Sequence, residues 1–145
     1  MLIKRMIGAE EAKRALDAAV AEARKDGQPM SFAVADSYGE VVAAVRMDGS
    51  PARILRHAIR QAYTSGIMHR DTVTFKQQLG ERDGNLDEWG DEMLTTLPGG
   101  VAIRYEGEVI GAIGAGGGIT LPRDTEIARI AVAAIGLQAD PKAQK

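Results

Sequence analysis

Residues 98–118 read PGGVAIRYEGEVIGAIGAGGG, and this stretch decides the fold. Apolar runs predict one strand from Val101 to Glu106 and another from Val109 to Ala115, joined by a tight turn at Glu106-Gly107. Glycine lets the backbone turn sharply or be approached closely. Eight of the chain's 17 glycines lie here, at positions 99, 100, 107, 111, 114, 116, 117 and 118. We therefore expect a β-hairpin with a glycine-rich entry and exit, an arrangement that suits the wall of a ligand pocket.

The rest of the chain predicts a second hairpin and several helices. The hairpin has strands at 30–36 and 40–46, and an amphipathic helix at 9–24 precedes it. A longer helix follows Pro51, with an apolar stripe from Ile54 to Ile67. One or two short helices are expected around 73–79 and 86–94, and a last helix begins at Thr120-Leu121-Pro122. The tail after Gln138 is expected to fray.

This order, helix-hairpin-helices-hairpin-helix, indicates the fold class. Because hairpin strands pair antiparallel, we expect an α+β fold with an antiparallel sheet of four to five strands and helices packed on it. A chain of 145 residues is long enough to bury a core of its own, and no linker or repeat divides it. The prediction is one domain, residues 1–145.

Composition excludes several functions. The net charge is -2, so no general basic field would attract nucleic acid. Cysteine is absent, which removes disulfides and thiolate sites. No apolar run has the length of a membrane span or signal peptide, so we expect a cytoplasmic protein with no membrane partner. Alanine-rich helices and glycine-rich edges leave apolar surface to cover, which favours a homo-oligomer.

Metal and phosphate motifs are weak. The two histidines, His57 and His69, form no HxxxH or HExxH pattern, so we predict no metal site built by the protein. A histidine could still be an axial ligand of haem iron or carry a proton, although a polar position on a helix is the commoner role. The segment GAGGG lacks the helix and lysine of a phosphate loop. Its glycines instead suit close approach of a neighbouring backbone or of a ligand.

Arginines indicate an anionic ligand. Arg53, Arg56 and Arg60 recur at spacings of three and four, so they share one side of a helix. Guanidinium groups bind carboxylates with two parallel hydrogen bonds. The alternative is a solvated face, or ion pairs between subunits with the acidic residues of 81–92. The predicted ligand-binding residues are Arg56, Arg60, Thr64, Arg70, Gly99, Gly100, Arg104, Gly116 and Gly117.

A catalytic site is the second hypothesis. His69, Tyr105 and Glu106 could move a proton on a substrate carboxylate that arginines orient. No Ser-His-Asp arrangement is legible, and each of these residues also has an ordinary structural role in caps and turns. Trp89, in a polar surrounding, could be an interface residue.

Four segments taken together resemble a known family. They are VADSYGEVVAAVRMDGSPA (34–52), HAIRQAYTSG (57–66), LPGGVAIRYEGEVIGAIGAGGG (97–118) and DTEIARIAVAAI (124–135). In this order they resemble the haem-binding HbpS / GlcG family, which includes the C-terminal domain of PduO-type proteins. The resemblance implies a profilin-like layered domain, a homo-oligomer with octamers possible, and a ligand such as haem.

The sequence also departs from that family's pattern. His69-Arg70-Asp71-Thr72 replaces an Arg-Pro-Thr turn, and the glycine exit reads Ala115-Gly116-Gly117-Gly118-Ile119 where Val-Ser-Gly-Gly is usual. These changes favour a small organic anion other than haem. Two hypotheses remain: an oligomeric binding protein for haem or an organic anion, and an enzyme of organic-acid catabolism, of tautomerase, hydratase or deaminase type, acting on a small (di)carboxylate.

Overall fold

The computed structural model describes residues 1–140. In chain order its elements are α1 (Ala9–Lys25), β1 (Ser31–Asp36), β2 (Val41–Arg46), α2 (Ala52–Met68), α3 (Thr72–Glu81), a 3-10 helix (Leu86–Trp89), β3 (Gly100–Tyr105), β4 (Glu108–Gly116) and α4 (Leu121–Ala134). This order confirms the α+β prediction, with both hairpins where the sequence placed them.

The four strands form one antiparallel sheet in the order β2-β1-β4-β3. Each hairpin contributes one central strand and one edge strand. The central strands β1 and β4 pair from Ser31 opposite Gly116 to Asp36 opposite Gly111. The glycine-rich hairpin and the upstream hairpin are therefore halves of the same sheet.

The two faces of the sheet differ because side chains alternate along each strand. Large residues such as Phe32, Ile103 and Ile113 lie on one face and pack with α1 and α4 in the main core. The other face is made of small residues and receives α2. Gly100, Gly114 and Ala33 form one cross-strand row there. With little side-chain volume between them, α2 lies very close to the strands.

The outer edge of β3 is covered by hydrogen bonds from other parts of the chain. The Gly100 N–H donates to Thr72 Oγ1 at 3.1 Å, and the Ala102 N–H donates to Asp71 Oδ1 at 3.0 Å. The Arg104 N–H donates to the Gln138 carbonyl oxygen at 2.7 Å, and the Gln138 N–H returns a bond to Arg104. An edge strand with free N–H groups can pair with a foreign strand. These bonds remove that possibility along β3.

Asp71 is the centre of this arrangement. Its side chain is fully buried, and Oδ2 lies 2.5 Å from Arg129 Nη2 of α4. Burial raises the pKa of Asp71 to about 6, although the Ala102 N–H and Arg129 both act in the opposite direction. Arg129 also donates to the carbonyl oxygen of Asp140. One ion pair thus connects α4, the start of α3, strand β3 and the C-terminal segment.

Two predictions about the chain's irregular parts agree with the structure only in part. The predicted helix at 86–94 is only a 3-10 helix at Leu86–Trp89, because Gly90 has a left-handed backbone with φ 62° and ends it. The tail does not fray directly after Gln138, because Gln138 pairs with β3 and Asp140 accepts bonds from Arg104 and Arg129. The rest of that tail, 141–145, lies outside the described residues.

Among residues 1–140, no helix combines the length and apolar character that crossing a bilayer requires.

Asp124, near the start of α4, predicts a specific pH dependence of stability. It is 4% exposed, its Oδ1 accepts the Gly118 N–H at 2.7 Å, and burial raises its pKa from 3.8 to about 6. The folded state therefore holds this proton more tightly than the unfolded state, and the resulting stability is lost as the pH rises through about 6. In Asp124→Asn the amide oxygen can keep the Gly118 bond. Between pH 4 and 7, we expect the free energy of unfolding of this variant to fall by up to about 3 kcal/mol less than that of the wild-type protein.

Urea denaturation at several pH values measures this decline. Asp17→Asn, at an exposed position of α1, is the matched control and should leave the pH profile unchanged. An Asp124→Asn profile parallel to that of the wild-type protein would contradict the assignment.

Candidate functional site

The predicted site residues do not converge on one pocket. They fall into three groups of side chains and one set of glycines that pack closely against neighbouring segments. Arg70 lies in a cleft beside α3, and Arg56, Arg60 and Thr64 lie along α2. The third group, at the end of β3, contains His69, Arg104, Tyr105 and Glu106.

The cleft beside α3 is formed where three elements meet. Helix α2 ends at Met68 because His69 adopts a left-handed backbone with φ 58°, and the chain then turns into α3. The 3-10 helix returns Trp89 to the side of α3. The cleft has a volume of about 250 Å³. Its lining consists of Met68, Arg70, Phe75, Gln78, Leu79, Arg82 and Trp89.

Aromatic and cationic groups form the walls of this cleft. The rings of Phe75 and Trp89 meet edge to face, with centroids 5.8 Å apart, and the Arg82 guanidinium lies 5.3 Å from the Trp89 ring centroid. Arg70 Nε donates to the Met68 carbonyl oxygen at 2.8 Å, and Nη1 donates to the side-chain oxygen of Gln78. The cleft therefore offers apolar surface with two guanidinium groups, which suits an apolar or aromatic molecule that carries carboxylates.

Only Arg70 of this cleft is among the predicted ligand-binding residues. Phe75 and Leu79 are four residues apart, so they mark one face of α3, and this is the local signal that the sequence offers. Nothing local indicates that Trp89 returns to that face. The polar surroundings of Trp89 indicate only an interface residue.

Arg104 organises the group at the end of β3. Its Nη2 donates to the His69 carbonyl oxygen and its Nη1 to that of Gly107, both at 3.1 Å, while Nε lies 2.5 Å from Asp140 Oδ1. The guanidinium thus brings the end of α2 and the β3–β4 turn together, but all three nitrogens already have acceptors. Each terminal nitrogen keeps one further N–H, which a ligand carboxylate could accept without displacing these acceptors.

The predicted catalytic residues His69, Tyr105 and Glu106 are all exposed. Arg5 packs over the Tyr105 ring at 4.7 Å and pairs with Glu106 at 3.0 Å. Partial burial lowers the pKa of His69, and the positive charge of Lys4 lowers it further. His69 and the ion-paired Glu106 thus lie near the β3–β4 turn. The enzyme hypothesis for these residues stays a prediction.

The group along α2 joins this helix to the segment before β3. Arg60 Nη2 donates to the carbonyl oxygens of Glu92 and Leu94 at 2.9 and 2.8 Å. Thr64 is buried; its hydroxyl donates to the Arg60 carbonyl oxygen at 2.8 Å and accepts the Thr95 N–H at 3.0 Å. A shallow cleft of about 340 Å³ lies over Arg60 and this segment. Thr64 thus holds the backbone, and of the Arg60 nitrogens Nε is buried, which leaves Nη1 for a ligand.

The remaining residues of this group and the glycines differ in exposure. Arg56 is exposed, one helical turn from Arg60. A Cβ at Gly100 would lie 2.6 Å from both the Gln61 carbonyl oxygen and Ser65 Oγ, and one at Gly99 would clash with the Ala115 carbonyl oxygen. At Gly116 and Gly117 it would meet Ile54 at 3.0 and 3.2 Å. Close packing accounts for these glycines, and ligand binding by them stays a prediction.

Comparison with known proteins gives the following matches. Residues 7–133 match the family model described as "Haem degrading protein HbpS-like". Protein GlcG of Escherichia coli is 29% identical over 114 residues, which cover 79% of this chain and 84% of GlcG. An uncharacterized 15.0 kDa protein of Citrobacter freundii is 28% identical over 123 residues, 83% of this chain and 86% of that protein.

Solved structures share the fold. A double mutant of Streptomyces reticuli HbpS superimposes with a TM-score of 0.82 at 26% identity, covering 92% of this chain and 89% of HbpS. A PduOC:heme complex gives 0.83 at 23% identity and covers 94% of this chain and 99% of PduOC. Because the family model spans nearly all of the sheet and its helices, the chain belongs to the HbpS-like family.

Proposed function

We propose that this protein is a self-associating binding protein for a small apolar carboxylate, of which haem is the first candidate. The observation that carries the proposal is the cleft beside α3, where aromatic and aliphatic surface lies next to Arg70 and Arg82. The family description, "Haem degrading protein HbpS-like", supports haem in particular. PduOC, which shares the fold, is itself known as a complex with heme.

The residues of the cleft fit part of a haem-like molecule. Phe75 and Trp89 offer ring surfaces for a macrocycle, and Arg70 and Arg82 suit its propionate groups. The volume of about 250 Å³ is slightly below the usual ligand-pocket range of roughly 300–1,000 Å³, so a macrocycle would extend beyond the cleft. When bound, haem would supply an iron centre. The chain's own residues would hold its edge and its carboxylates.

Trp89 makes the proposal easy to test, because it is the only tryptophan of the chain. We expect hemin to quench Trp89 fluorescence as it binds. The absorbance of the mixture should show the Soret band of protein-bound hemin. Arg82→Gln should raise the dissociation constant about tenfold, since it removes a charge-assisted contact to a carboxylate. Hemin dimethyl ester, which lacks free carboxylates, should bind the wild-type protein and Arg82→Gln equally.

The control is Arg24→Gln, at an exposed position of α1 far along the chain from the cleft. An equal loss of affinity in Arg24→Gln and Arg82→Gln would exclude the cleft as the site. If the protein neither changes the absorbance of hemin nor shows quenched Trp89 fluorescence, haem is excluded as the ligand. A rise in melting temperature with mono- or dicarboxylic acids would then identify a small organic anion as the ligand class.

A further inference from the structure

One face of the molecule carries neighbouring regions of opposite charge. The first region, the acidic loop, is residues 81–92, with six carboxylates and one arginine. Asp91 accepts a 2.6 Å bond from the Tyr63 hydroxyl and so raises the pKa of Tyr63 to about 12. Within residues 1–140, no carboxylate of the acidic loop forms an ion pair. The loop therefore presents uncompensated negative charge.

The second region, the basic stripe, is formed by Arg53, Arg56 and Arg60 of α2. Arg60 contacts the acidic loop directly through the Glu92 carbonyl oxygen. Because residues three and four apart share a helix side, Arg53 and Arg56 continue from Arg60 along the same face. Both are exposed, and in the described part of the chain neither forms an ion pair.

Apolar side chains lie on the same segment as the acidic loop. Trp89, Met93 and Leu97 are 40%, 38% and 39% exposed. Protein interfaces combine a centre rich in aromatic residues and methionine with a polar, charged rim. Exposed Trp89 and Met93 next to two rims of opposite charge match that composition.

We infer that this face binds the same face of a second copy of the chain around a two-fold axis. In such a contact the acidic loop of each copy meets the basic stripe of the other, so both charged regions are compensated at once. An anionic partner would leave the negative charge of the acidic loop uncompensated. A cationic partner would leave the positive charge of the basic stripe uncompensated. The inference rests on the self-association proposed above and adds the surface through which it occurs.

Charge reversal provides the test, with sedimentation equilibrium as the readout. Arg53→Glu with Arg56→Glu should raise the dissociation constant of the oligomer at least about tenfold, because like charges would then face each other. Asp87→Lys with Glu88→Lys should do the same. A chain with all four replacements should associate again, and so should an equimolar mixture of the two double variants. Trp89 emission on dilution gives an independent readout.

Lys13→Glu with Arg24→Glu, on exposed positions of α1, is the control and should not change association. Thermal melts followed by circular dichroism identify any variant that fails to fold. In that case the chain with all four replacements decides whether this surface forms the contact. The wild-type chain could associate while the charge reversals have no effect, or while the chain with all four replacements stays dissociated. Either result would show that this surface is not the contact, and self-association would still stand. A wild-type chain that is monomeric at every concentration would overturn both.

Discussion

Gly114→Ala is expected to lower the free energy of unfolding by more than about 3 kcal/mol. A Cβ at Gly114 would lie 2.8 Å from the Ala62 backbone nitrogen and closer still to the Ala58 carbonyl oxygen, both in α2. Ordinary overpacking costs about 1–3 kcal/mol, and it is moderated when flexible side chains give way. Here the obstacle is helix backbone, so α2 itself would have to move away from β1, β3 and β4.

Gly80→Ala is the matched control for this prediction. Gly80 lies in α3, where a methyl group added at its Cα would have no atom within 4 Å beyond the backbone of its own helix. Alanine should therefore stabilise the protein by up to about 1 kcal/mol through its higher helix propensity. Thermal and urea unfolding of both variants measure the difference. Equal stabilities for Gly114→Ala and the wild-type protein would show that α2 is not in close contact with the sheet.

Asp71→Asn is expected to destabilise the protein by about 3–5 kcal/mol at pH 8, where the native carboxyl is ionised. The change leaves Arg129, whose side chain is 16% exposed, without its carboxylate partner, and breaking one side of a buried ion pair carries a cost of this size. Asp71→Ala should cost about 1 kcal/mol more, since the Ala102 N–H then loses its acceptor as well.

A double-mutant cycle separates the pair from the packing around it. Arg129→Gln alone should also be strongly destabilising, because it leaves a carboxylate buried without a cation. Combining it with Asp71→Asn should recover part of the loss, giving a coupling that additive effects would not produce. Asp17→Asn serves as the exposed control. Urea unfolding that shows Asp71→Asn to be as stable as the control would contradict the structural role given to this pair.

Much of the fold can be predicted because its signals are local. Both hairpins show in the apolar runs and turn residues, and α2 shows in its apolar stripe. The small residues of β4 also have a readable meaning, since Gly114 and Gly116 alternate with Ile113 and Ala115 along one strand. Their partner cannot be read from the sequence, because only the sheet order places α2 on that face.

The candidate site is harder to predict because it depends on distant parts of the chain. The cleft combines Met68, Phe75 and Trp89, which come from three different elements. Arg70 can be singled out because it is a charged residue next to a helix end. It lines one wall of the cleft. Asp71, beside it, is not among the predicted site residues, because nothing in its neighbours indicates that it lies against β3 and α4.

The covered edge of β3 has a consequence for aggregation. Strand β2 is the other edge of the sheet, so a strand from another molecule could join only on that side. Two molecules that paired through β2 would each end at a covered β3, and a third could not add. Cross-β growth requires every added chain to offer a fresh edge to the next. Fibril growth through β3 would therefore require Thr72, Asp71 and Gln138 all to separate from this strand.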